Sequence, residues 1–410
     1  MAFNPLKENG TPMEKQFKNW EKLNVTPYNK NEVDPYTRCR IILMNGIETE
    51  STLFLHQFAR HCDDIKLKQK LAAGRRIEQQ QQKIINWFSP GDESTLETTI
   101  GYEQVAVDLT AWLARTEPDA KMKAALDFAL LEDFDHLYRY ANLLELTQGK
   151  QAEQLVGGYT EIFPGRPTKD EHRHPFDSPR EWVDFKNADI LTKLHANIIV
   201  AGEQQTMNFY MNIGNTESDS MARGLYQEIA MIEEQHVTHY ESLLDPTISW
   251  YEMFLMHEYT ECYMYYSCLQ HENDQRIKGY WENCLSDEIE HLKIAAELFK
   301  EKEKRDPSEI IPEDMPELVK FEPNKEYVRD IIQQQVSLTA DETHYIPVSE
   351  LPVDHRYYKF QHIVNQDGKV PSQEVIEMHI QEKGSDYRFE SEGEHPVEKF
   401  RSREKVESLI

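Results

Sequence analysis

The chain predicts an all-α protein: a bundle of four repeated helical hairpins, eight helices in all, with an extended N-terminal arm and an irregular C-terminal tail. Three observations carry this. The middle of the chain is rich in Leu, Met, Ala, Glu and Gln and sparse in Gly and Pro, a helix-forming composition. Apolar residues there recur at helical spacing, as in "LYQEIAMIEEQHVTHYESLL" (225–244), where Ile229, Ala230, Val237 and Tyr240 share a face with Glu233 and His236. Finally, one spacing of acids and imidazoles recurs. Asp219, Glu233 and His236 follow Glu203 by 16, 30 and 33 residues; Asp119, Asp133 and His136 follow Glu103 in the same way, and Asp274, Glu288 and His291 follow Glu258. A first unit keeps Glu48, Asp64 and Glu78 at those offsets but carries Gln81 in the histidine position.

Element by element, residues 1–35 are polar with scattered Pro, Gly and Asn and read as an arm. Residues 36–304 form the duplicated helical domain. Its units start 55 residues apart within each half, and the halves are offset by 155. One interruption at 148–186, rich in Pro, Gly and charge, reads as a long crossover; its "EHRHP" (171–175) reads as a solvated loop. Residues 305–410 form a C-terminal extension in which one short helix is expected near 324–337, the rest being irregular. The aspartate at each 16-residue offset stands where a second helix begins and is expected to cap it. A helix rises ~1.5 Å per residue, so the outward stroke of roughly 24 Å and the return of roughly 21 Å nearly cancel. The lone glutamate and the acid-x-x-His pair of each hairpin then lie at one height.

Each lone glutamate sits in an apolar stripe: Ile199, Val200, Met207 and Tyr210 around Glu203; Phe254, Leu255, Cys262 and Tyr265 around Glu258; Ile100, Ala106 and Val107 around Glu103. Carboxylates on an apolar face are costly to bury unless something positive meets them. Two packed hairpins would bring together four carboxylates and two imidazoles, the ligand set of a di-iron or di-manganese site in a helical bundle. The candidate metal ligands are Glu103, Asp133, His136, Glu203, Glu233, His236, Glu258, Glu288 and His291. Glu48, Glu78 and Gln81 form a weaker set, and Arg75, on the face of Glu78, is expected to neutralise its acids in place of a cation. Tyr140 and Tyr240, each four residues after a ligand histidine, are expected to hydrogen-bond behind the ligands. Units two and three make the most direct pair; one with three and two with four, or unit four with its copy in a homodimer, stay open.

These residues resemble the ferritin-like superfamily, the group containing rubrerythrins, manganese catalases and bacterial di-iron oxidases. The resemblance covers residues 36–304 and departs in Asp133, in Gln81 and in having eight helices. It implies two iron or manganese ions per site and an oxidoreductase acting on O2 or peroxide, with an organic substrate also open. Iron storage and a metal-free assembly protein are the alternatives. A net charge of −28 argues against a nucleic-acid partner and against anionic membrane surfaces. Cys39, Cys62, Cys262, Cys268 and Cys284 make no Cys-x-x-Cys pair, which disfavours a self-contained rubrerythrin, and free thiols fit a cytoplasmic protein. No stretch approaches a membrane span.

Overall fold

A computed structural model describes residues 3–365, 370–388 and 397. The chain is mainly helical, and eight long helices build its centre: α1 Pro35–Arg60, α2 Ile65–Trp87, α3 Thr95–Thr116, α4 Ala120–Gln148, α5 Ile190–Ile213, α6 Ser220–Glu241, α7 Trp250–His271 and α8 Gln275–Glu303. Short turns make successive helices double back and pack along one another as α1–α2, α3–α4, α5–α6 and α7–α8. The turn aspartates set where each return helix starts. Asp64, Asp119, Asp219 and Asp274 each accept from two free backbone N–H groups in the first turn of α2, α4, α6 and α8. Ser94 caps α3 with a reciprocal bond from Glu97.

Helices α3 and α4 pack with α5 and α6, and α7 packs on both α1 and α5; the acids of the fourth unit meet those of the first unit of the same chain. The two groups join along α1, which lies against both α3 and α5. One apolar cluster runs through α1, α2, α7 and α8 and into the join; a second fills the space among α3, α4, α5 and α6. No helix among the described residues is long and apolar enough to cross a membrane.

Two segments without long helices press tightly on this frame. Among the described residues the arm carries only single turns, Pro5–Lys7, Met13–Gln16 and Trp20–Leu23. A Cβ on Gly10 would lie 2.5 Å from the Glu290 backbone nitrogen, so only glycine lets the arm lie this close to α8. The crossover makes the same kind of approach to α4: a Cβ on Gly165 would lie 2.2 Å from the Leu131 carbonyl oxygen.

The C-terminal extension departs from the irregular tail expected. It forms α9 Lys325–Gln335, a ribbon of β1 Leu338–Asp341 paired antiparallel with β2 His344–Pro347, then α10 Arg356–Asn365 and α11 Pro371–Lys383. Helix α9 packs on α4, and α11 on α4 and α6. Buried polar anchors outweigh the Pro-rich, acidic composition. Glu145 meets His379, Tyr387 and Arg388, and Glu228 accepts from the backbone and hydroxyl of Ser372.

Candidate functional site

Two clusters of buried acids and imidazoles lie in the two groups of helices, each joining one hairpin from each half of the repeat. The first joins α3–α4 to α5–α6 and holds Glu103, Asp133, His136, Glu203, Glu233 and His236, all buried. Asp133, Glu203, Glu233 and His236 each place a ligand atom within 4.8 Å of the others, and Glu103, His136 and Glu233 form a second such group, so Glu233 belongs to both. The Nδ1 atoms face inward. That of His136 is 3.1 Å from Glu233, and that of His236 is 3.2 Å from Asp133, 3.4 Å from Glu233 and 3.6 Å from Glu203.

Each imidazole is held from behind by an acid. His136 Nε2 is 2.9 Å from Glu171, and His236 Nε2 is 2.8 Å from Glu132. Glu132 also meets Arg166 and Arg173, each at 2.8 Å. Glu171, Arg166 and Arg173 all come from the crossover, so "EHRHP" is no solvated loop: Glu171, His172 and Arg173 are buried, while half-buried His174 caps a turn and Pro175 is exposed. A stretch of charge in a Pro- and Gly-rich loop looks solvated, but the buried charges of α4 and α6 draw these residues inward. Glu132 was legible only as the neighbour of Asp133.

Electrostatics follow from this crowding. Burial opposes charge on His136, but Glu171 and Glu233 outweigh it and hold the ring well above the usual imidazole range. Burial likewise opposes charge on His236, and Asp133, Glu132 and Glu203 raise it. Burial also pushes Glu103, Asp133 and Glu203 upward. Against that same burial, the two imidazoles hold Glu233 down to about 2, and Arg173, His236 and Arg166 hold Glu132 well below the usual carboxylate range.

The second cluster joins α1–α2 to α7–α8. Glu78, Glu258, Glu288 and His291 form one close group, and Glu48, Glu78 and Glu261 another, with Glu78 common to both. His291 Nδ1 is 2.9 Å from both Glu78 and Glu288 and 3.8 Å from Glu258. Its Nε2 is 2.7 Å from the Gln16 side-chain oxygen, so the arm backs this ring with a neutral amide. The structure brings Glu48 and Glu78 into this cluster without the arginine expected to neutralise them. Arg75 donates instead to the Leu55 carbonyl at 3.1 Å, and among the described residues it makes no ion pair with either acid. Its long side chain keeps its head near solvent, where desolvation is avoided. Gln81 is fully buried, with neither amide atom hydrogen-bonded.

Tyr140 and Tyr240 are buried, but neither hydroxyl finds a protein partner, which corrects the outer hydrogen bonds expected of them. Tyr210 and Tyr265 make such bonds instead, donating to Glu103 and Glu48 respectively. Each lies seven residues after a lone glutamate and reaches across to the lone glutamate of the partner hairpin. Spacing four residues from a histidine put the ring on the right helix face but not within reach of an acceptor.

Compared with protein-family models, curated proteins and solved structures, the chain matches none.

Proposed function

We propose that the first cluster is a dimetal carboxylate centre, of iron or manganese, and that the protein is an oxidoreductase acting on O2 or peroxide. The observation that carries this reading is the donor set: four carboxylates and two imidazoles, all buried, falling into two close groups that share Glu233. Two divalent cations would offset the four carboxylate charges with both rings neutral, whereas burying those charges alone costs several kcal/mol per ion. Hard oxygen donors with a few imidazoles suit iron or manganese better than zinc. The repeated spacing, the doubled-back helices and this donor set together support a duplicated ferritin-like arrangement.

When bound, such a pair of cations supplies two-electron redox chemistry. The chain's own residues orient and insulate it. Glu171 and Glu132 would accept the Nε2 protons of His136 and His236, leaving each Nδ1 lone pair directed inward. Arg166 and Arg173 keep Glu132 ionised for that task. Tyr210 holds one oxygen of Glu103. Ile100, Val107, Leu137 and Ile229 belong to the dry core around the cluster and exclude water from it.

A second reading, a metal-free structural bundle, is favoured by the imidazole–carboxylate pairs: protonated His136 and His236 would serve as the missing cations. Metal content and an optical spectrum taken before and after peroxide separate the two. The dimetal reading expects about two ions in this cluster, peroxide turnover, loss of both in His236→Ala and neither in Gln81→Ala. A protein that retains no metal, and whose Tm is unmoved by Fe2+ or Mn2+, is the metal-free bundle.

A further inference from the structure

The second cluster differs from the first in one donor. In the first, His136 joins Glu103 and Glu233 to make the smaller group. The matching histidine position of the first unit is Gln81, yet a smaller group still forms there, and Glu261 completes it with Glu48 and Glu78. Glu261 lies on α7, one turn after Glu258. The other units carry Ser51, Ala106 and Thr206 at that position, so this acid is peculiar to the fourth. It is fully buried, and neither carboxylate oxygen has a hydrogen-bond partner. His257 Nε2 is 3.8 Å away, beyond hydrogen-bonding reach.

We infer that the second cluster is itself a dimetal centre for hard divalent cations, with Glu48, Glu78, Glu258, Glu288 and His291 as ligands and Glu261 supplying the donor that Gln81 does not. This extends the reading of the first cluster to a second, independent site. Several buried, unpartnered oxygens carry it: Glu261 with both of its own, and Glu48, Glu258 and Glu288 with one each. Where the first cluster has Arg166 and Arg173 beside it, this one has five buried carboxylates and one imidazole. Orphaned charges of this kind are far costlier than paired ones, and a cation relieves them. Replacing an imidazole by a carboxylate shifts the donor set toward manganese-type ions.

The surroundings give small molecules a way in. A cavity of about 120 Å³ between the two halves is walled by Phe54, Val200 and Met256 and reaches Glu261. A smaller one of about 40 Å³, walled by Leu55, Leu71 and Phe254, reaches Glu78, Glu258 and His291. Both linings are mostly apolar, which suits ion exchange less than the passage of an uncharged species such as O2 or peroxide.

The test is Mn2+ loading of the metal-free full chain, with bound ion counted after desalting and folding followed by circular dichroism. The wild type is expected to bind about four ions, twice the complement of one dimetal centre. His236→Ala should keep the second centre and so about half of that total. Glu261→Gln, which keeps the side-chain shape, should lose about a quarter, and adding Gln81→His should restore the lost ion by returning an imidazole. Wild type binding only about two ions, all lost in His236→Ala and none in His291→Ala, would overturn the second centre and leave the first intact. Full occupancy in Glu261→Gln, or failure of Gln81→His to restore a lost ion, would overturn the role given to Glu261. Binding of about two ions that survives His236→Ala but not His291→Ala would support the second centre and sink the first.

Discussion

The two clusters share a plan and differ in how charge is balanced around it. In the first, each imidazole is backed by an acid, and one of those acids is held by two arginines of the crossover. In the second, the single imidazole is backed by the neutral Gln16 of the arm, and an extra carboxylate stands where an imidazole is missing. An ionised backing group makes an imidazole a stronger donor and a costlier one to strip of its proton. A neutral one leaves the carboxylates to dominate. Two clusters built on the same spacing can thus be tuned apart by segments outside the repeat, namely the crossover on one side and the arm on the other.

The sharpest way to break this comparison is to remove one imidazole from each cluster. His236→Ala is expected to lower peroxide turnover at least ~100-fold, above the 10–100-fold typical of outer partners, because it removes a donor itself. His291→Ala should leave the first cluster's spectrum unchanged while removing the second cluster's ions. Equal spectral loss in both variants would mean that the clusters are not independent. Next in size is Arg173→Ala, which leaves Glu132 with one guanidinium in a buried setting. The cost should be about 3 kcal/mol of unfolding free energy, read from urea titration of the metal-free protein. Lys18→Ala, beside Asp287 at the matching position of the fourth unit, should cost less, about 1.5 kcal/mol, because Lys18 keeps partial contact with solvent while Asp287 is buried.

The backing groups offer a finer test. Glu171→Gln should weaken metal binding at the first cluster about 10-fold, and Gln16→Glu should strengthen it at the second by a similar factor. Competition with a chelator of known affinity reads both. If the two changes move affinity in the same direction, the ionic character of the backing group is not what separates the clusters.

How much of this was legible beforehand follows from the kind of signal each part leaves. The eight helices and their caps were legible because Asp64, Asp119, Asp219 and Asp274 act locally and the apolar stripes repeat. The levelling of Glu203 with Glu233 and His236, and of Glu258 with Glu288 and His291, followed from stroke lengths; which hairpins meet did not. Glu171, Arg173 and Gln16 left no trace of that sort. They lie in segments without periodicity, and long-range packing alone turns them inward. Glu261 was within reach, since it shares a face with Glu258, but an acidic helix holds many such pairs. The expected arginine failed for the opposite reason: a shared helix face does not fix where a long side chain ends.

The mildest perturbation is pH, and it discriminates the clusters by the sign of each group's shift. In the metal-free protein, His136, His236 and His291 are held above their usual range, as are Glu103, Glu203, Glu48, Glu258 and Glu261. A group raised on folding binds its proton more tightly in the native state, so its contribution is complete below the unfolded value and lost as pH rises through the folded one. Metal-free stability should therefore fall from mildly acidic to alkaline pH, and saturating Mn2+ should abolish or reverse that slope, because cations take the place of protons. The first cluster alone also has an acid flank. Glu233, lowered to about 2, and Glu132, lowered by its arginines and His236, contribute above their unfolded value of 4.5 and lose that contribution as pH falls toward about 2. Thermal melts across pH should accordingly show a maximum in the metal-free wild type. Glu132→Gln should flatten the acid side while leaving the alkaline fall, which the second cluster shares. An acid flank that survives Glu132→Gln undiminished would mean that the arginine-held carboxylate is not what sets the first cluster apart.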